Sequence, residues 1–254
     1  MKYFYPILLV IVLTACNKHK WFDVPHFYSD DFEAFSTTDS LLVPGDRRWS
    51  FTQLTRSANT VNVDSTVRYN GKRSLKFAAQ KSDANGASKA SIVKQHMAFW
   101  EGETVRLSGW FYIADTLSHE WLFLMDLEEQ TAVGAGPGMR LALVNNALRV
   151  EYKFNEKDIL QNASVAKPLP RRQWVHLVWE VSLSQKKNGK VKLYQDNELI
   201  IDAQSKKTLP TDVLYFQQGT KGQYSSCEIG ITANSSDNPC TLYVDDVKFE
   251  RVNP

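Results

Sequence analysis

Two large aromatic side chains, Trp110 and Tyr112, fall on the polar side of a predicted strand, where a ring needs either cover or a ligand. Over residues 105–113 the chain alternates, so that apolar side chains face one way and Trp110 and Tyr112 face the other. Because a half-exposed ring binds flat apolar surfaces, these two residues are the first candidates for a binding site.

Two carboxylates on another predicted strand have the spacing of a catalytic pair. Asp126 and Glu128 are two residues apart, which places both side chains on one face of a strand. They match the second and third positions of the E-x-D-x-E strand of laminarinase-like glycoside hydrolases, in which alternate carboxylates act as nucleophile and acid. Leu124 occupies the first position, so the nucleophile is absent and we expect an ordinary polar strand end.

Other chemistries are not indicated by the spacing. The histidines and cysteines show no zinc spacing, and no glycine-rich phosphate loop follows a predicted strand. We therefore expect no organic cofactor. The net charge of +2 gives no indication of a nucleic-acid partner.

The elements that must position these side chains are strands. Alternation recurs over residues 148–154 and 175–183. Four residue pairs that tolerate positive φ lie between such segments, as tight hairpins require. The pattern predicts an all-β chain without a long amphipathic helix. The four pairs are Asn70-Gly71, Asn145-Asn146, Asn188-Gly189 and Asp196-Asn197.

Length and composition fit one domain behind a processed N-terminus. The chain has 254 residues, of which 43% are apolar and 23% charged, enough for one substantial core. We expect residues 1–15 to be a signal peptide, 16–29 a lipidated tether and 30–254 a β-sandwich domain.

The signal prediction rests on an apolar run at residues 7–13, followed by Thr14, Ala15 and Cys16 in a pattern that resembles a bacterial lipoprotein cleavage site. The run is too short to span a bilayer. Acyl chains on Cys16 would hold the protein to a membrane of the cell envelope, on a leaflet that the sequence does not identify. An unlipidated signal peptide and a buried N-terminal strand are the alternatives.

Five phrases, in their order along the chain, resemble the concanavalin-A-like jelly rolls of bacterial carbohydrate-binding modules, laminin-G-like domains and polysaccharide lyases of the alginate, glucuronan and heparin type. The resemblance implies a two-sheet antiparallel jelly-roll β-sandwich, whose concave face forms a groove for a sugar chain. The phrases are DDFEAF (30–35), YNGKRSLKF (69–77), GPGMRLALVNNALRVEY (136–152), QWVHLVWEVSLSQKKNGKVKLYQDNELI (173–200) and IGITANSSDNPCTLYVDDVKF (229–249).

In such a groove, rings stack on sugar faces, and charged or amide groups bind the hydroxyls. The glycan-binding candidates are the side chains at predicted groove-facing positions, although each one alone also fits a solvated strand face. These candidates are Trp110, Tyr112, Arg140, Arg149, Glu151, His176 and Tyr194.

The alginate-lyase relatives carry three catalytic strands, R-S/T-E-L-R, Q-I/V-H and Y-F-K-x-G-x-Y. Here residues 89–94 lack the Glu and both Arg, residues 124–128 lack the Gln and His, and Gln217 replaces the Lys after Tyr215 and Phe216. Elimination by that constellation is therefore not expected. A lyase mechanism in this chain would have to use other residues, and the candidates are His176, Tyr152 and Tyr224.

The resemblance also implies a structural Ca²⁺ held by acidic residues of the first and last strands, because calcium prefers hard oxygen ligands. The same residues also fit a role as solvated strand ends. The four candidates are Asp31, Glu33, Asp245 and Asp246.

Cys227 and Cys240 are expected to be buried free thiols. If the segments around them form a hairpin turning near Ser236, Cys240 faces Thr232 and Cys227 lies about five positions further along. At about 3.4 Å per residue, that separation exceeds the reach of a disulfide.

The expected function is non-catalytic binding of a polysaccharide or oligosaccharide by an exported lipoprotein. Two alternatives stay open. One is a polysaccharide lyase that acts by β-elimination on uronate-containing glycans. The other is a structural or adhesion lipoprotein that contacts protein.

Overall fold

A computed structural model describes residues 25–42, 48–131, 134–154, 156–210 and 223–252. The signal peptide, Cys16, most of the tether and residues 215–217 lie outside the described residues, so the lipid anchor stays a prediction. Among the described residues, no helix is long and apolar enough to cross a membrane.

The regular secondary structure of the described chain is almost all strand, with one short helix. The elements are β1 (Phe27–Asp30), α1 (Thr38–Leu41), β2 (Phe51–Leu54), β3 (Thr60–Asp64), β4 (Ser74–Ala79), β5 (Ser88–Lys94), β6 (Phe99–Trp100), β7 (Thr104–Ile113), β8 (Trp121–Thr131), β9 (Gly134–Val144), β10 (Ala147–Tyr152), β11 (Val175–Ser182), β12 (Gly189–Gln195), β13 (Glu198–Lys206), β14 (Gln223–Tyr224), β15 (Ser226–Asn234) and β16 (Cys240–Val252).

The strands form two large sheets whose pairings are antiparallel. The eight-stranded sheet has the order β13-β12-β11-β7-β16-β4-β3, with β1 on β16, and the six-stranded sheet has the order β10-β9-β8-β15-β5-β2. Inward side chains of both sheets form one buried apolar cluster. The all-β, two-sheet antiparallel sandwich is therefore confirmed.

Two of the predicted hairpin turns have the backbone that their residues favour. Asn145 and Asn146 join β9 to β10 with φ of 50° and 66°, and Asp196 and Asn197 join β12 to β13 with φ of 51° and 66°. Positive φ at both central residues gives a turn whose twist matches that of the paired strands. The turn residues thus fix the register of both hairpins.

Two local predictions need correction. The tether was expected to reach residue 29, but β1 begins at Phe27 and pairs with β16. The segments around Cys227 and Cys240 do not form a hairpin, because β15 lies in the six-stranded sheet and β16 in the eight-stranded sheet. Both thiols are nevertheless free and buried, as expected.

Strand β8 contains irregularities that decide which side chains face outward. The register shifts between Phe123 and Met125, and Leu124 and Met125 are both fully buried in the core. The bulge resets the alternation, so that Phe123 and Asp126 lie on the same outward face. A second shift follows Glu128, opposite Gly138 on β9.

We expect Gly138→Ala to lower the free energy of unfolding by about 2 kcal/mol, as overpacking in other proteins does. A Cβ at Gly138 would lie 2.1 Å from the carbonyl oxygen of Leu127, and two paired strands cannot separate there without losing hydrogen bonds. Urea denaturation followed by tryptophan fluorescence measures the change.

Gly109→Ala is the matched control in β7, because a Cβ there meets its nearest atoms at 3.5 Å, an ordinary contact distance. We expect its unfolding midpoint to stay close to that of the wild type. Equal midpoints for the two variants would show that β8 and β9 do not approach as closely as described.

Candidate functional site

The outward face of the six-stranded sheet is recessed. Its side chains point away from the core between the sheets, yet Asp126, Glu128 and Glu228 are only 2%, 3% and 1% exposed. Charged side chains are rarely buried to this degree unless they are paired or functional. We call this surface the recessed face, and the three acidic residues the carboxylate cluster.

One register row crosses five strands of the recessed face and brings together charged residues from four of them. Val93 on β5 is opposite Glu228 on β15, and Glu228 is opposite Asp126 on β8. The row continues through Arg140 on β9 to Glu151 on β10. Residues more than 100 positions apart thus become neighbours, because directly opposed side chains in a sheet lie on the same side.

Lys153 supplies the positive charge at the centre of the carboxylate cluster. Its Nζ lies 3.2 Å from Asp126 Oδ2 and also contacts Glu128 Oε1. The oxygens of Asp126, Glu128 and Glu228 all lie within 4.8 Å of one another. The Lys153 side chain is 22% exposed, whereas those of Asp126 and Glu128 are 3% and 4% exposed, so Lys153 is the more accessible partner in these ion pairs.

Glu228 is a carboxyl of the cluster whose pKa is raised to near neutrality. Burial and the nearby charge of Asp126 raise its pKa from 4.5 to about 7, although Lys89, Lys153 and a hydrogen bond from Ser91 act in the opposite direction. A group with a pKa near the working pH exchanges protons readily. The cluster therefore holds a proton-transfer group beside a fixed ammonium.

Two arginines and two aromatic rings extend the recessed face beside the cluster. The Arg140 guanidinium lies 4.2 Å from the centroid of the Phe123 ring, and Phe123 stacks on Trp121 at 5.0 Å. Arg149 donates to Glu151 from Nε at 2.9 Å. Arginines bind carboxylates, and half-buried rings bind sugar faces, so this surface suits an acidic sugar.

The structure divides the seven predicted glycan-binding residues between two opposite faces. Three of them, Arg140, Arg149 and Glu151, lie on the recessed face. The other four lie on the outward face of the eight-stranded sheet, where β7, β11 and β12 present them to solvent. The expectation that all seven line one groove is therefore wrong. The four residues on the second face are Trp110, Tyr112, His176 and Tyr194.

An array of rings covers part of that second face. Tyr69 stacks on Trp110 with 3.7 Å between ring centroids, and Trp110 stacks on His176 at 4.9 Å. Asp245 holds Tyr69 in place, because its Oδ2 accepts the backbone N–H of Tyr69 at 3.0 Å. Among the described residues, Tyr194 makes no such ring contact. The array, which we call the aromatic face, consists of Tyr69, Trp110, Tyr112, Trp174, His176 and Tyr243.

The structure does not bring the three predicted lyase residues together in one site. His176 belongs to the aromatic face. Tyr152 packs against the core side of β10, and Tyr224 is fully buried with its hydroxyl donating to the Thr208 carbonyl at 2.7 Å. Strand alternation directs Tyr152 inward, and the pairing of β11 with β7 places His176 in the other sheet, so neither reaches the recessed face.

The four predicted calcium ligands lie near one another, but three already accept hydrogen bonds, among them Asp31, whose Oδ1 accepts the backbone N–H of Glu33 at 3.1 Å. Glu33 Oε1 accepts the backbone N–H groups of Lys72 and Arg73, and Asp245 anchors Tyr69. Burial and the nearby carboxylates of Asp31 and Glu33 raise the pKa of Asp246, an excess of negative charge that suits a cation. The calcium site stays a prediction.

Sequence reasoning missed most of the recessed face. Asp126 and Glu128 were recognised as a pair and interpreted as a polar strand end, whereas the structure buries both. Glu228 and Lys153 had no local signal, since only the pairing of β8 with β15 and β10 with β9 brings them to Asp126. Trp121 and Phe123 alternate with apolar residues in the sequence, but they are not among the predicted glycan-binding residues.

The raised pKa of Glu228 predicts how stability changes with pH. Because the pKa in the folded state exceeds the ordinary value of 4.5, the protonated carboxyl stabilises the fold below about pH 4.5, and this contribution is lost as the pH rises through about 7. Glu228→Gln removes the titration. We expect the free energy of unfolding of the variant to rise by roughly 3 kcal/mol relative to that of the wild type as the pH increases from about 4.5 to about 7. Urea denaturation measures this difference.

Glu250→Gln is the control, because the pKa of Glu250 is lowered in the folded state whereas that of Glu228 is raised. Burial favours a higher pKa for Glu250, but hydrogen bonds from Lys248 and Arg106 lower it. The wild type should therefore lose stability relative to this variant as the pH falls below about 4.5. A stability difference for Glu228→Gln that does not change with pH would contradict the burial of an ionisable Glu228.

Several solved structures share the fold of this chain. An endo-β-1,4-glucuronan lyase from the fungus Trichoderma reesei superposes with a TM-score of 0.63 at 13% identity, covering 80% of this chain and 91% of that chain. The cellulose-induced protein Cip1 superposes with a TM-score of 0.62 at 14% identity, covering 87% of this chain and 96% of its own.

A variant of alginate lyase Aly36B, in complex with an alginate trisaccharide, gives a TM-score of 0.58 at 8% identity and covers 91% of this chain and 100% of that chain. At these identities the likeness shows the fold, which is the predicted jelly roll. No curated protein matches the sequence. The family described as polysaccharide lyase matches residues 44–248, which is most of the chain. The protein therefore belongs to the polysaccharide lyase family.

Proposed function

We propose that the protein is a polysaccharide lyase that cleaves a uronate-containing glycan by β-elimination on the recessed face. Membership of the lyase family favours this alternative over the expected non-catalytic binding. The observation that carries the proposal is the position of Lys153, whose ammonium lies between Asp126 and Glu128 and beside Glu228.

Elimination places three demands on the site. A cation must neutralise the uronate carboxylate, a base must take the C5 proton, and an acid must protonate the leaving oxygen at C4. The C5–H electron pair forms the C4=C5 double bond as the C4–O bond breaks. The recessed face has a group for each demand.

Arg140 is suited to the uronate carboxylate, because its side chain is 24% exposed and its guanidinium lies over the Phe123 ring on the recessed face. Lys153 is suited to protonate the leaving oxygen. The carboxylate cluster is suited to take the C5 proton, and its member Glu228 has a pKa raised to about 7. Phe123 and Trp121 offer rings on which adjacent sugars stack.

We expect Lys153→Ala to reduce formation of unsaturated product by at least about 100-fold, the usual contribution of a positioned acid or base. The measurement is the ultraviolet absorbance of the C4=C5 double bond during incubation with a panel of uronate polysaccharides that includes glucuronan and alginate. Reducing ends are assayed in parallel, because hydrolysis produces them without the absorbance.

Lys192→Ala, which changes a lysine on the eight-stranded sheet, is the matched control and should keep full activity. Arg140→Ala should raise KM and lower kcat, and it tests the site even if Lys153→Ala folds poorly. The proposal fails if the wild type forms no unsaturated product from any member of the panel. It also fails if reducing ends appear without absorbance.

The aromatic face supports a second role, which is to hold the polymer without cutting it. Tyr69, at 42% exposure, caps a stack that continues through Trp110 to His176. Large exposed rings in a contiguous patch mark a binding surface. Because this face lies on the sheet opposite the recessed face, the same chain of sugars cannot occupy both without wrapping around the domain.

We expect Trp110→Ala to weaken binding of the long polysaccharide substrate by about tenfold, since it removes the central ring of the stack. Affinity electrophoresis in gels that contain the polymer measures this, with Lys153→Ala present in every variant to prevent cleavage. Phe27→Ala is the control, because Phe27 is an exposed ring on the same sheet outside the aromatic face. Equal mobility of the two variants would contradict a role for the aromatic face in binding.

A further inference from the structure

Three potential metal ligands converge at a place where the two large sheets meet, away from the recessed face. Asp115, His119 and Cys240 offer ligand atoms that all lie within 4.8 Å of one another. They are a carboxylate oxygen, an imidazole nitrogen and a thiol sulfur. The sequence spacing did not predict this group, because Cys240 lies 121 positions after His119.

The group combines one connecting loop with one strand. Asp115 lies in the loop from β7 to β8, two residues after the end of β7, and Cys240 is the first residue of β16 in the eight-stranded sheet. His119 lies two residues before β8, which belongs to the six-stranded sheet. Asp115 is fixed by accepting the backbone N–H of Thr241. A bound ion would therefore join the two sheets.

The ring nitrogens of His119 lack hydrogen-bond partners among the described residues. The residue is 1% exposed, and neither Nδ1 nor Nε2 has a hydrogen-bond partner among the described residues. An imidazole buried with both nitrogens unpaired costs free energy, and such groups in folded proteins need an explanation. Cys240 adjoins it as a buried free thiol, 2% exposed. Metal coordination would satisfy both side chains.

The neighbouring charges fit a divalent cation. Asp237 and Arg171 act on His119 along with Asp115. A divalent ion and the Arg171 guanidinium together carry three positive charges. Asp115, Asp237 and the Cys240 thiolate carry three negative charges, so the occupied site is neutral.

We propose that Asp115, His119 and Cys240 bind a structural Zn²⁺ ion. A thiolate, an imidazole and a carboxylate are the ligand types that zinc accepts, and the mixed soft and hard donors disfavour calcium and magnesium. On binding, the Cys240 thiol loses its proton to solvent and its sulfur forms the metal bond. The ion completes its tetrahedral coordination with one further ligand, such as water.

The site also bears on the recessed face. His119 is two residues from Trp121, the first residue of β8, whose ring stacks on Phe123. An ion that fixes His119 to β16 therefore fixes the start of the strand that carries the ring platform. The role of the ion is structural, and its binding does not depend on whether the chain is a lyase.

Cobalt titration of the purified, reduced and metal-free protein tests the proposal. Co²⁺ bound by a thiolate gives a charge-transfer absorption band in the near ultraviolet. We expect this band to saturate at one cobalt per chain and to disappear when Zn²⁺ is added. Zn²⁺ should also raise the unfolding temperature, because it binds the folded state only.

Two ligand variants and one matched control identify the donors. Cys240→Ser should abolish the charge-transfer band, and His119→Gln should weaken cobalt binding by more than about tenfold. Cys227→Ser removes the other buried thiol and should keep the band unchanged. Far-ultraviolet circular dichroism shows whether each variant is folded. If Cys240→Ser does not fold, cobalt binding by His119→Gln tests the proposal instead.

Three results would overturn the proposal. The first is a wild-type titration without a charge-transfer band. The second is a band that survives in Cys240→Ser and is lost in Cys227→Ser. The third is a folded His119→Gln variant that binds cobalt as tightly as the wild type.

Discussion

The recessed face depends on one electrostatic constraint, which is the burial of three carboxyl groups beside the Lys153 ammonium. Asp126, Glu128 and Glu228 lie within 4.8 Å of one another, and Lys153 contacts two of them. Burial and the nearby charge of Asp126 raise the pKa of Glu228 toward neutrality, and the positive charges of Lys89 and Lys153 offset only part of this effect. The pKa that suits Glu228 to proton transfer therefore follows directly from the packing of the sheet.

The β-sandwich has two outward faces that differ in their side chains. The two sheets bury their inner faces against each other, and the outward face of each remains available to a ligand. The face of the six-stranded sheet buries charge, and the face of the eight-stranded sheet displays stacked rings such as Tyr69 on Trp110.

Much of the fold follows from local sequence, and much of the site does not. Alternation and paired turn residues such as Asn145-Asn146 predict strands and hairpins, because both effects act within a few residues. Alternation does not tell which sheet a strand joins, and Trp110 was therefore assigned to the same groove as Arg140. The meeting of Asp126 with Glu228 depends on the pairing of β8 with β15 and on the bulge at Phe123, neither of which has a local signal.

The most direct test of the central claim is a crystal structure of the Lys153→Ala variant with a uronate oligosaccharide derived from its substrate. We expect the sugar chain to bind on the recessed face, with one ring over Phe123 and a uronate carboxylate at the Arg140 guanidinium. An oligosaccharide bound at the aromatic face, with no sugar on the recessed face, would contradict it.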